Sequence, residues 1–373
     1  MSSSKVTRVL VTHLGSNGGG PKFHYHLFAS LLDRPDLEPH YLVAEGADNK
    51  AQFRATGSSF MALPTYRSKF GLILGMPRLL FSAVRLRRYI QENKIAVVIN
   101  SMESVYQGLI APIAIPRGVK YMSCVHDAVD HPGDEHFLKK LSRWGERSRA
   151  DEFIVFSGAV RSAVSSGKSL RGRPVRETVH GAFDSHVPQE VARNNTSGAR
   201  ALRIGFIGRL GKYKGLDLLA EAVGILRSRG LDVEGHVHGA GPEEYLAGTE
   251  LGAALNWSIG WIDDEKIPEI LDSFDILALP YKEASQSGVV AYAMSRGLPM
   301  VVTPVGGLPE QIHAASCGLV AAGLSPNDFA NALEKLVVDR NMRERLGHNA
   351  SIASRTTFSW QRVGDDVSRW LTE

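Results

Sequence analysis

The sequence predicts an α/β protein built from two doubly wound parallel-sheet domains, and three observations support this. The chain has 373 residues, 43% hydrophobic and 22% charged, which is typical of about two globular domains. Short, β-branched apolar runs alternate with amphipathic segments of helical period. The alternation starts again after a polar stretch just past the midpoint. Near-continuous apolar strands separated by helices are typical of parallel sheets buried on both faces.

The first half of the chain supplies five predicted strands and three predicted helices. The strands are the apolar runs at residues 8–14, 39–44, 95–100, 119–125 and 152–156. The helices are the amphipathic segments at residues 21–32, 72–91 and 137–149. Together they predict a Rossmann-like first domain over residues 1–190.

A polar stretch at residues 193–200 is the best linker in the sequence, and we place the linker at 191–200. Strands then follow at residues 202–207, 233–238, 275–279 and 300–303, with helices near 216–229, 287–296 and 327–338. They predict a Rossmann-like second domain over residues 201–355. A final helix within 356–373 is expected to pack back on the first domain. Two such domains should leave a ligand cleft between the carboxyl ends of their sheets.

The composition of the chain limits the cellular compartments in which the protein is expected. No apolar run reaches the roughly 18 residues of a membrane span, and the first residues lack the apolar segment of a secretory signal. Cys124 and Cys317 lie in apolar, strand-like contexts, which suits buried thiols in a reducing compartment. The sequence therefore predicts a cytoplasmic protein.

Charge is distributed unevenly along the chain. Residues 1–190 hold 25 lysines and arginines against 17 aspartates and glutamates, whereas the remainder holds 18 against 22. The basic first half indicates either an anionic partner, such as a phosphorylated substrate or a membrane surface, or a solvated basic face. Residues 67–94 could form a basic amphipathic helix at the inner face of a membrane, or an ordinary surface helix packed on its own sheet. No nucleic acid partner is expected.

A glycine loop follows the first predicted strand. Gly18, Gly19 and Gly20 allow backbone amides to approach a ligand, and Pro21 favours the first helical turn. The spacing is not that of a dinucleotide-binding loop, and Glu45 is only a weak candidate for a ribose-binding acid. The loop therefore argues against a dinucleotide cofactor, and it is either a ligand loop or a plain tight turn.

The strongest local signal lies after the first strand of the second half. The strand ends at Gly208, Arg209 and Lys214 follow five residues apart, and Gly215 precedes an apolar helix. Two cations at the carboxyl edge of a sheet suit a polyanion such as a diphosphate. The alternative is two exposed cations in a turn.

A second anion-binding feature is predicted at residues 280–294. Glu283 lies in a polar turn, and a helix begins near Ser287, whose amide, with those of Gly288 and Val289, should be unsatisfied donors suited to a phosphate. The carboxylate could bind sugar hydroxyls. A further glycine turn at 305–310 should border the same cleft.

Histidines offer two more candidates. His126 follows a strand and so lies at the carboxyl edge of the first sheet. His236 and His238 point to one face of a strand, but no third metal ligand is evident nearby, and a structural role is favoured. No Asp-x-Asp element is present. The positive groups at Arg209 and Lys214 and the helix start can take the place of a metal, so neither a metal nor a cofactor is expected.

The order of these motifs resembles glycosyltransferase family 4, retaining sugar-nucleotide-dependent enzymes of the GT-B fold. The resemblance spans most of the chain and is most specific in the order and spacing of its motifs. They are the glycine loop, His126, and residues 153–157, 180–183, 208–215, 239–242, 293–299 and 306–310. The resemblance implies transfer of a sugar from a nucleoside diphosphate donor to a hydroxyl of a glycan or lipid-linked glycan, in polysaccharide or glycoconjugate synthesis.

The resemblance also implies roles for individual residues. Arg209 and Lys214 would hold the donor diphosphate, and His126 would contact the transferring sugar. The implied catalytic residues are His126, Arg209, Lys214 and Glu283. The implied donor-binding residues are Gly18, Gly19, Gly20, Gly208, Gly241, Ser287, Gly288 and Val289.

One departure from the family pattern concerns a pair of glutamates eight positions apart. Glu283 can serve as the first, on the donor sugar, but Ala291 stands eight residues later. Aligning on the following helix instead puts Ala284 and Tyr292 in the two places. The second glutamate, which binds the ribose, is absent in either register. This is typical of a subgroup of bacterial polysaccharide enzymes.

Three other functions fit parts of the pattern. A sugar-nucleotide epimerase of the same fold would use the same cleft without an acceptor. A nicotinamide dehydrogenase fits the fold class but not the glycine spacing. A non-catalytic nucleotide-sugar-binding subunit would account for the missing glutamate.

Overall fold

The computed structural model describes residues 6–16, 18–65, 76–127, 137–166, 172–183 and 200–373. The chain divides into two compact units of similar internal density. The first is Met1–Val179 together with Trp360–Glu373, and the second is His180–Ser359. Residues 184–199, which include most of the predicted linker, lie outside the described residues.

The first unit is built on a seven-stranded parallel sheet. Its strands are β1 Thr7–His13, β2 Leu37–Ala44, β3 Phe60–Leu63, β4 Val97–Asn100, β5 Lys120–Val125, β6 Glu152–Val155 and β7 Val175–Glu177. The order is β3-β2-β1-β4-β5-β6-β7, and every pairing is parallel. Five of these strands lie within about two residues of their predicted positions. The sequence did not predict β3 and β7, which are short and partly exposed edge strands.

Six described helices connect these strands. They are α1 Gly19–Ala29, α2 Lys50–Ala55, α3 Met76–Glu92, α4 Val105–Ala114, α5 Phe137–Arg149 and α6 Gly158–Ser166. Right-handed crossovers place α3, α4 and α5, which all lead toward β7, on one face of the sheet. The helices α1 and α2 lead toward β3 and therefore lie on the opposite face. Residues 66–75, the start of the predicted helix at 72–91, lie outside the described part of the chain.

The last helix of the chain, α13 (Trp360–Thr372), belongs to the first unit and packs on α1. The Arg34 guanidinium donates to Asp365 Oδ1 at 2.5 Å and to the Gln361 carbonyl at 2.9 Å. The indole of Trp360 stacks on the His26 ring at 5.3 Å. The chain therefore returns to the first unit after the second is complete.

The second unit has a six-stranded parallel sheet. Its strands are β8 Leu202–Ile207, β9 Val233–Gly239, β10 Leu255–Ile259, β11 Ile276–Leu279, β12 Met300–Val302 and β13 Gly318–Val320, in the order β10-β9-β8-β11-β12-β13. Its described helices are α7 Leu216–Ser228, α8 Ile267–Asp272, α9 Gly288–Ser295, α10 Leu308–Ala315, α11 Pro326–Val338 and α12 Arg340–Arg355. The unpredicted edge strands β10 and β13 are again short and partly exposed.

Each sheet has one point at which the strand order reverses, between β1 and β4 in the first unit and between β8 and β11 in the second. Loops leaving adjacent strands on either side of such a point diverge, which creates a crevice at the carboxyl edge. The glycine loop follows β1, the Arg209–Lys214 loop follows β8, and the Glu283–Ser287 turn follows β11. Within the part of the chain that the structure describes, no helix is long and apolar enough to span a bilayer.

Candidate functional site

The loops after β8 and β11 are held together through their backbones. A 3-10 helix, Lys212–Lys214, ends at Gly215, which has φ of 66°. A Cβ on Gly215 would lie 2.0 Å from the Pro280 carbonyl oxygen, so only glycine fits this contact. The Lys282 amide donates to the Tyr213 carbonyl at 2.7 Å. The position of Lys214 is therefore fixed relative to the turn after β11.

Tyr281 links Lys214 to the start of α9. The Lys214 ammonium lies 3.6 Å from the centroid of the Tyr281 ring and 4.9 Å from that of Tyr213. The Tyr281 side chain is 1% exposed, and its hydroxyl lies 3.3 Å from Ser287 Oγ. A cation held over an aromatic face keeps its charge while losing conformational freedom. This arrangement places a positive charge beside a helix N-terminus, where both favour an anion.

The start of α9 offers two amides rather than the three expected. Gly288 and Val289 are the first residues of α9, so their amides have no intrahelical acceptor. The sequence predicts that the Ser287 amide has no hydrogen-bond acceptor. This prediction is wrong, because the amide donates to Gln311 Oε1 at 3.1 Å. That bond anchors the helix start to α10.

Glycines bring the neighbouring loops close to the same edge. An added Cβ on Gly208 would lie 4.0 Å from Val289 Cγ2, so the end of β8 faces the start of α9. A Cβ on Gly241 would lie 2.5 Å from the Leu210 carbonyl oxygen. The Gly208 amide donates to the His238 carbonyl at 3.0 Å. The loops after β8 and β9 thus run side by side along the carboxyl edge.

Arg209 and Glu283 occupy these loops with exposed side chains. Arg209 directly follows Gly208, and Glu283 follows Lys282, whose ammonium pairs with Asp217 at 2.5 Å. The structure therefore places Arg209, Lys214, Glu283 and the start of α9 on two loops at the switch point of one sheet.

The three glycines after β1 differ in their surroundings. Gly18 has φ of 75°, and a Cβ on Gly18 or Gly19 would meet no atom within 4 Å. A Cβ on Gly20 would lie 2.6 Å from Nε2 of His13, which is 5% exposed. Gly18 and Gly19 therefore leave open space at the edge of the sheet, whereas Gly20 makes room for a buried histidine.

His126 follows β5 and is held by the turn after β4. Its Nε2 donates to the Ser101 carbonyl at 2.9 Å, and its ring packs against Phe23 and Phe156 at 4.5 and 4.7 Å between centroids. Burial lowers the pKa of His126, partly offset by the bond to the Ser101 carbonyl. A neutral ring that donates through Nε2 has Nδ1 as its acceptor nitrogen.

A buried histidine beside the glycine loop predicts a pH-dependent stability. Burial lowers the pKa of His13 to about 4, offset in part by its bond to the Met102 carbonyl. The unfolded chain binds the proton near pH 6.5, so stability is present above that pH and is lost as pH falls toward 4. The free energy of unfolding, measured with urea, should fall between pH 7.5 and pH 5 in both proteins. We expect this fall to be about 2 kcal/mol smaller in His13→Gln than in the wild type. An equal pH dependence in both proteins would contradict this.

The paired histidines of β9 differ in their surroundings. His236 Nε2 lies 2.9 Å from Glu234 Oε2, and burial lowers the pKa of His238. Among the described residues, no group of three or more His, Cys, Asp or Glu side chains is placed to hold a metal ion.

Sequence reasoning missed two residues of the candidate site, Tyr281 and Gln311. Tyr281 carries a weak signal, because an aromatic residue two positions after a strand end can face a ligand edge. Gln311 lies in a different helix from the amide that it accepts, so no local pattern indicates its role.

The comparison with known sequences places the similarity in the second half of the chain. Residues 201–339 match the family model described as "Glycosyl transferases group 1". A D-inositol 3-phosphate glycosyltransferase of Corynebacterium jeikeium (strain K411) is 33% identical over 183 residues, which is 46% of this chain and 43% of that protein. The chain therefore matches less than half the length of this relative.

Solved structures resemble the whole chain. A sucrose-phosphate synthase from Thermosynechococcus elongatus has a TM-score of 0.76 at 15% identity, covering 98% of both chains. Anabaena Alr3699/HepE in complex with UDP-glucose has a TM-score of 0.71 at 16% identity, covering 98% of this chain and 99% of that one. With the two parallel-sheet units, these likenesses confirm the expected α/β GT-B fold.

Proposed function

We propose that the protein is a retaining glycosyltransferase that moves a sugar from a nucleoside diphosphate donor to a hydroxyl of a glycan or lipid-linked glycan. The observation that carries the proposal is the cation of Lys214, held over Tyr281 and joined through Ser287 to the N-terminus of α9. The match of residues 201–339 to group 1 glycosyl transferases covers these same loops.

The chemistry follows from where negative charge develops. When the donor sugar leaves its diphosphate, charge builds on the phosphate oxygens, and groups fixed in advance around them lower the barrier. Lys214, Arg209 and the Gly288 and Val289 amides are the donors for this purpose. The acceptor hydroxyl attacks the same face of the sugar, and the leaving phosphate oxygen takes its proton. Glu283 is proposed to bind hydroxyls of the donor sugar.

We propose that the first unit binds the acceptor. Gly18 and Gly19 leave open space at the switch point of the sheet, and His126, which follows β5 at the carboxyl edge, is proposed to contact the transferring sugar. The proposed reaction needs no metal ion, because the cations and amides of the second unit supply the positive charge.

Nucleotide binding tests this proposal most directly. The full chain is mixed with UDP, GDP, ADP and their sugar conjugates, and its melting temperature is followed. We expect one base series to stabilise the protein, since a ligand at 100 times its Kd adds about 2.7 kcal/mol. No stabilisation by any of them would overturn the proposal. Release of nucleotide only when an acceptor is present would then separate a transferase from an epimerase or a binding subunit.

Tyr281 gives a more specific prediction. Tyr281→Phe keeps the ring under Lys214 and loses only the contact with Ser287, so nucleotide affinity should fall by no more than about fivefold. Tyr281→Leu removes the aromatic face as well, and affinity should fall by a further roughly fivefold. Calorimetric titration with the preferred nucleoside diphosphate measures both. Equal affinities for the Phe and Leu variants would exclude a role for the ring.

A further inference from the structure

Glu146 lies on α5, and the proposed reaction does not use it. Its side chain is 3% exposed. One carboxyl oxygen, Oε1, accepts hydrogen bonds from Asn100 Nδ2 at 2.8 Å, Tyr121 Oη at 2.5 Å and Ser123 Oγ at 2.7 Å. All three donor residues are fully buried. A helix thus holds side chains from two neighbouring strands, β4 and β5, through a single atom.

These hydrogen bonds lie where β4 and β5 end. Asn100 and Ser123 face each other in the parallel ladder and are the last of its four paired residues. The chain leaves β4 at Ser101, and it leaves β5 at His126. His126 Nε2 donates to the Ser101 carbonyl at 2.9 Å, so the two departing segments are joined directly. Glu146 therefore binds the last pair of strand residues before the contact that holds His126.

Glu146 is held in place by close packing of α5 on α4. A Cβ on Gly145 would lie 2.3 Å from the Gly108 carbonyl oxygen, so a side chain at this position would separate the helices. The two backbones therefore touch directly beside Glu146. Gln107, next to Gly108 on α4, has its Nε2 3.5 Å from the Tyr121 hydroxyl. The carboxyl group thus reaches the strands from a fixed position on the helix.

Stability alone does not account for this polar network. In the described part of the chain, three of its buried acceptor atoms have no hydrogen-bond partner, namely Glu146 Oε2, Asn100 Oδ1 and Gln107 Oε1. Burial raises the pKa of Glu146, and its three hydrogen bonds lower it only in part. Apolar side chains of the same volume are usually as stable as such a group, or more stable. What the network adds is direction, because each hydrogen bond fixes the orientation of the strand residue that donates it.

We propose that Glu146 is a positioning residue for His126. It ties α5 to the last paired residues of β4 and β5, and so keeps the Ser101 carbonyl opposite His126 Nε2. A carbonyl can only accept, so this contact keeps the ring proton on Nε2 and sets the direction of the ring. The inference rests on the proposed function, in which His126 contacts the transferring sugar.

Turnover of two variants tests this positioning role. Glu146→Leu keeps the bulk of the side chain and removes the three hydrogen bonds. Glu146→Gln keeps an oxygen acceptor and gains an amide donor for the side-chain oxygens of Asn100 and Gln107. We expect kcat to fall on the order of ten- to a hundredfold in Glu146→Leu, because small misplacements of a substrate contact have effects of this size. In Glu146→Gln it should stay near the wild-type value. Nucleoside diphosphate affinity, measured by calorimetry, should be unchanged in both, because that ligand is proposed to bind the second unit.

Nitrogen NMR of the His126 ring reads the same contact without any substrate. The His126 resonances are identified by their absence in His126→Gln. Wild type and Glu146→Gln should show one tautomer, with the proton on Nε2, whereas Glu146→Leu should show a mixture of both. Leu86→Ala is the matched control, because Leu86 is fully buried in the core of the same unit and carries no polar group. It should lower stability and yet keep the single tautomer.

Three results would overturn the proposal. They are a folded Glu146→Leu protein with a single tautomer protonated at Nε2, a mixture of tautomers in Leu86→Ala as well, and a loss of kcat in Glu146→Gln as large as in Glu146→Leu. Circular dichroism melting shows which variants fold, and Tyr121→Phe/Ser123→Ala replaces Glu146→Leu if that protein does not. The ring proton is read in the absence of nucleotide and acceptor. A wild type that binds no nucleotide would therefore overturn sugar transfer, while the tautomers would still decide the role of Glu146.

Discussion

Lys214→Ala is expected to lower kcat/KM for the nucleoside diphosphate sugar roughly 30- to 1000-fold, a loss of about 2 to 4 kcal/mol of transition-state stabilisation. Lys214 is held over Tyr281 before any ligand binds, so no reorganisation is needed when charge develops on the diphosphate. Arg209→Ala should have an effect of the same size. Steady-state rates of nucleotide release in the presence of acceptor measure both.

Lys212→Ala is the matched control for this prediction. Lys212 lies in the same 3-10 helix with an exposed side chain, so its removal should change kcat/KM less than about twofold. If Lys214→Ala and Arg209→Ala both left turnover unchanged, the diphosphate would have to bind elsewhere. If Lys212→Ala lowered kcat/KM as much as Lys214→Ala, the effect would instead come from the loss of positive charge in general.

The position of the candidate site could be predicted because it depends on strand ends. The carboxyl ends of parallel strands meet at one edge, so glycines and cations that follow β8 and β11 come together whatever the details of packing. The core strands are near-continuous apolar runs, and they were predicted within about two residues. The edge strands β3, β7, β10 and β13 are short and partly exposed, so their burial pattern has no clear period.

The remaining features depend on contacts between distant segments. Gln311 accepts from Ser287 across 24 residues, and this bond removes one of the three amides that a local reading of the helix start predicts. Tyr281 matters because Gly215 lets the loop after β8 touch Pro280, which brings Lys214 over the ring.

Gly306, in the turn after β12, should tolerate substitution less well than most residues of the second unit. Gly306 has φ of 53°, and a Cβ there would lie 1.5 Å from the Ala284 carbonyl oxygen. Gly306→Ala is expected to lower the free energy of unfolding by about 3 kcal/mol, from left-handed strain and from displacement of the 284–285 backbone. The Gly307 amide donates to the Ser285 carbonyl at 3.0 Å, so the turn leading to α9 should shift and nucleotide affinity should fall too.

Two further variants separate the causes of the Gly306 effect. Gly306→Asn relieves part of the left-handed strain but keeps the collision with the Ala284 carbonyl. If Gly306→Asn lowers the free energy of unfolding as much as Gly306→Ala does, the collision is the main cause of the destabilisation. Gly224→Ala is the opposite control, because Gly224 is exposed within α7 and a Cβ there meets no atom within 4 Å. It should stabilise the protein by about 0.5 to 1 kcal/mol. Urea unfolding of the three variants measures these differences, and a Gly306→Ala protein as stable as wild type would contradict the close contact between the turns after β11 and β12.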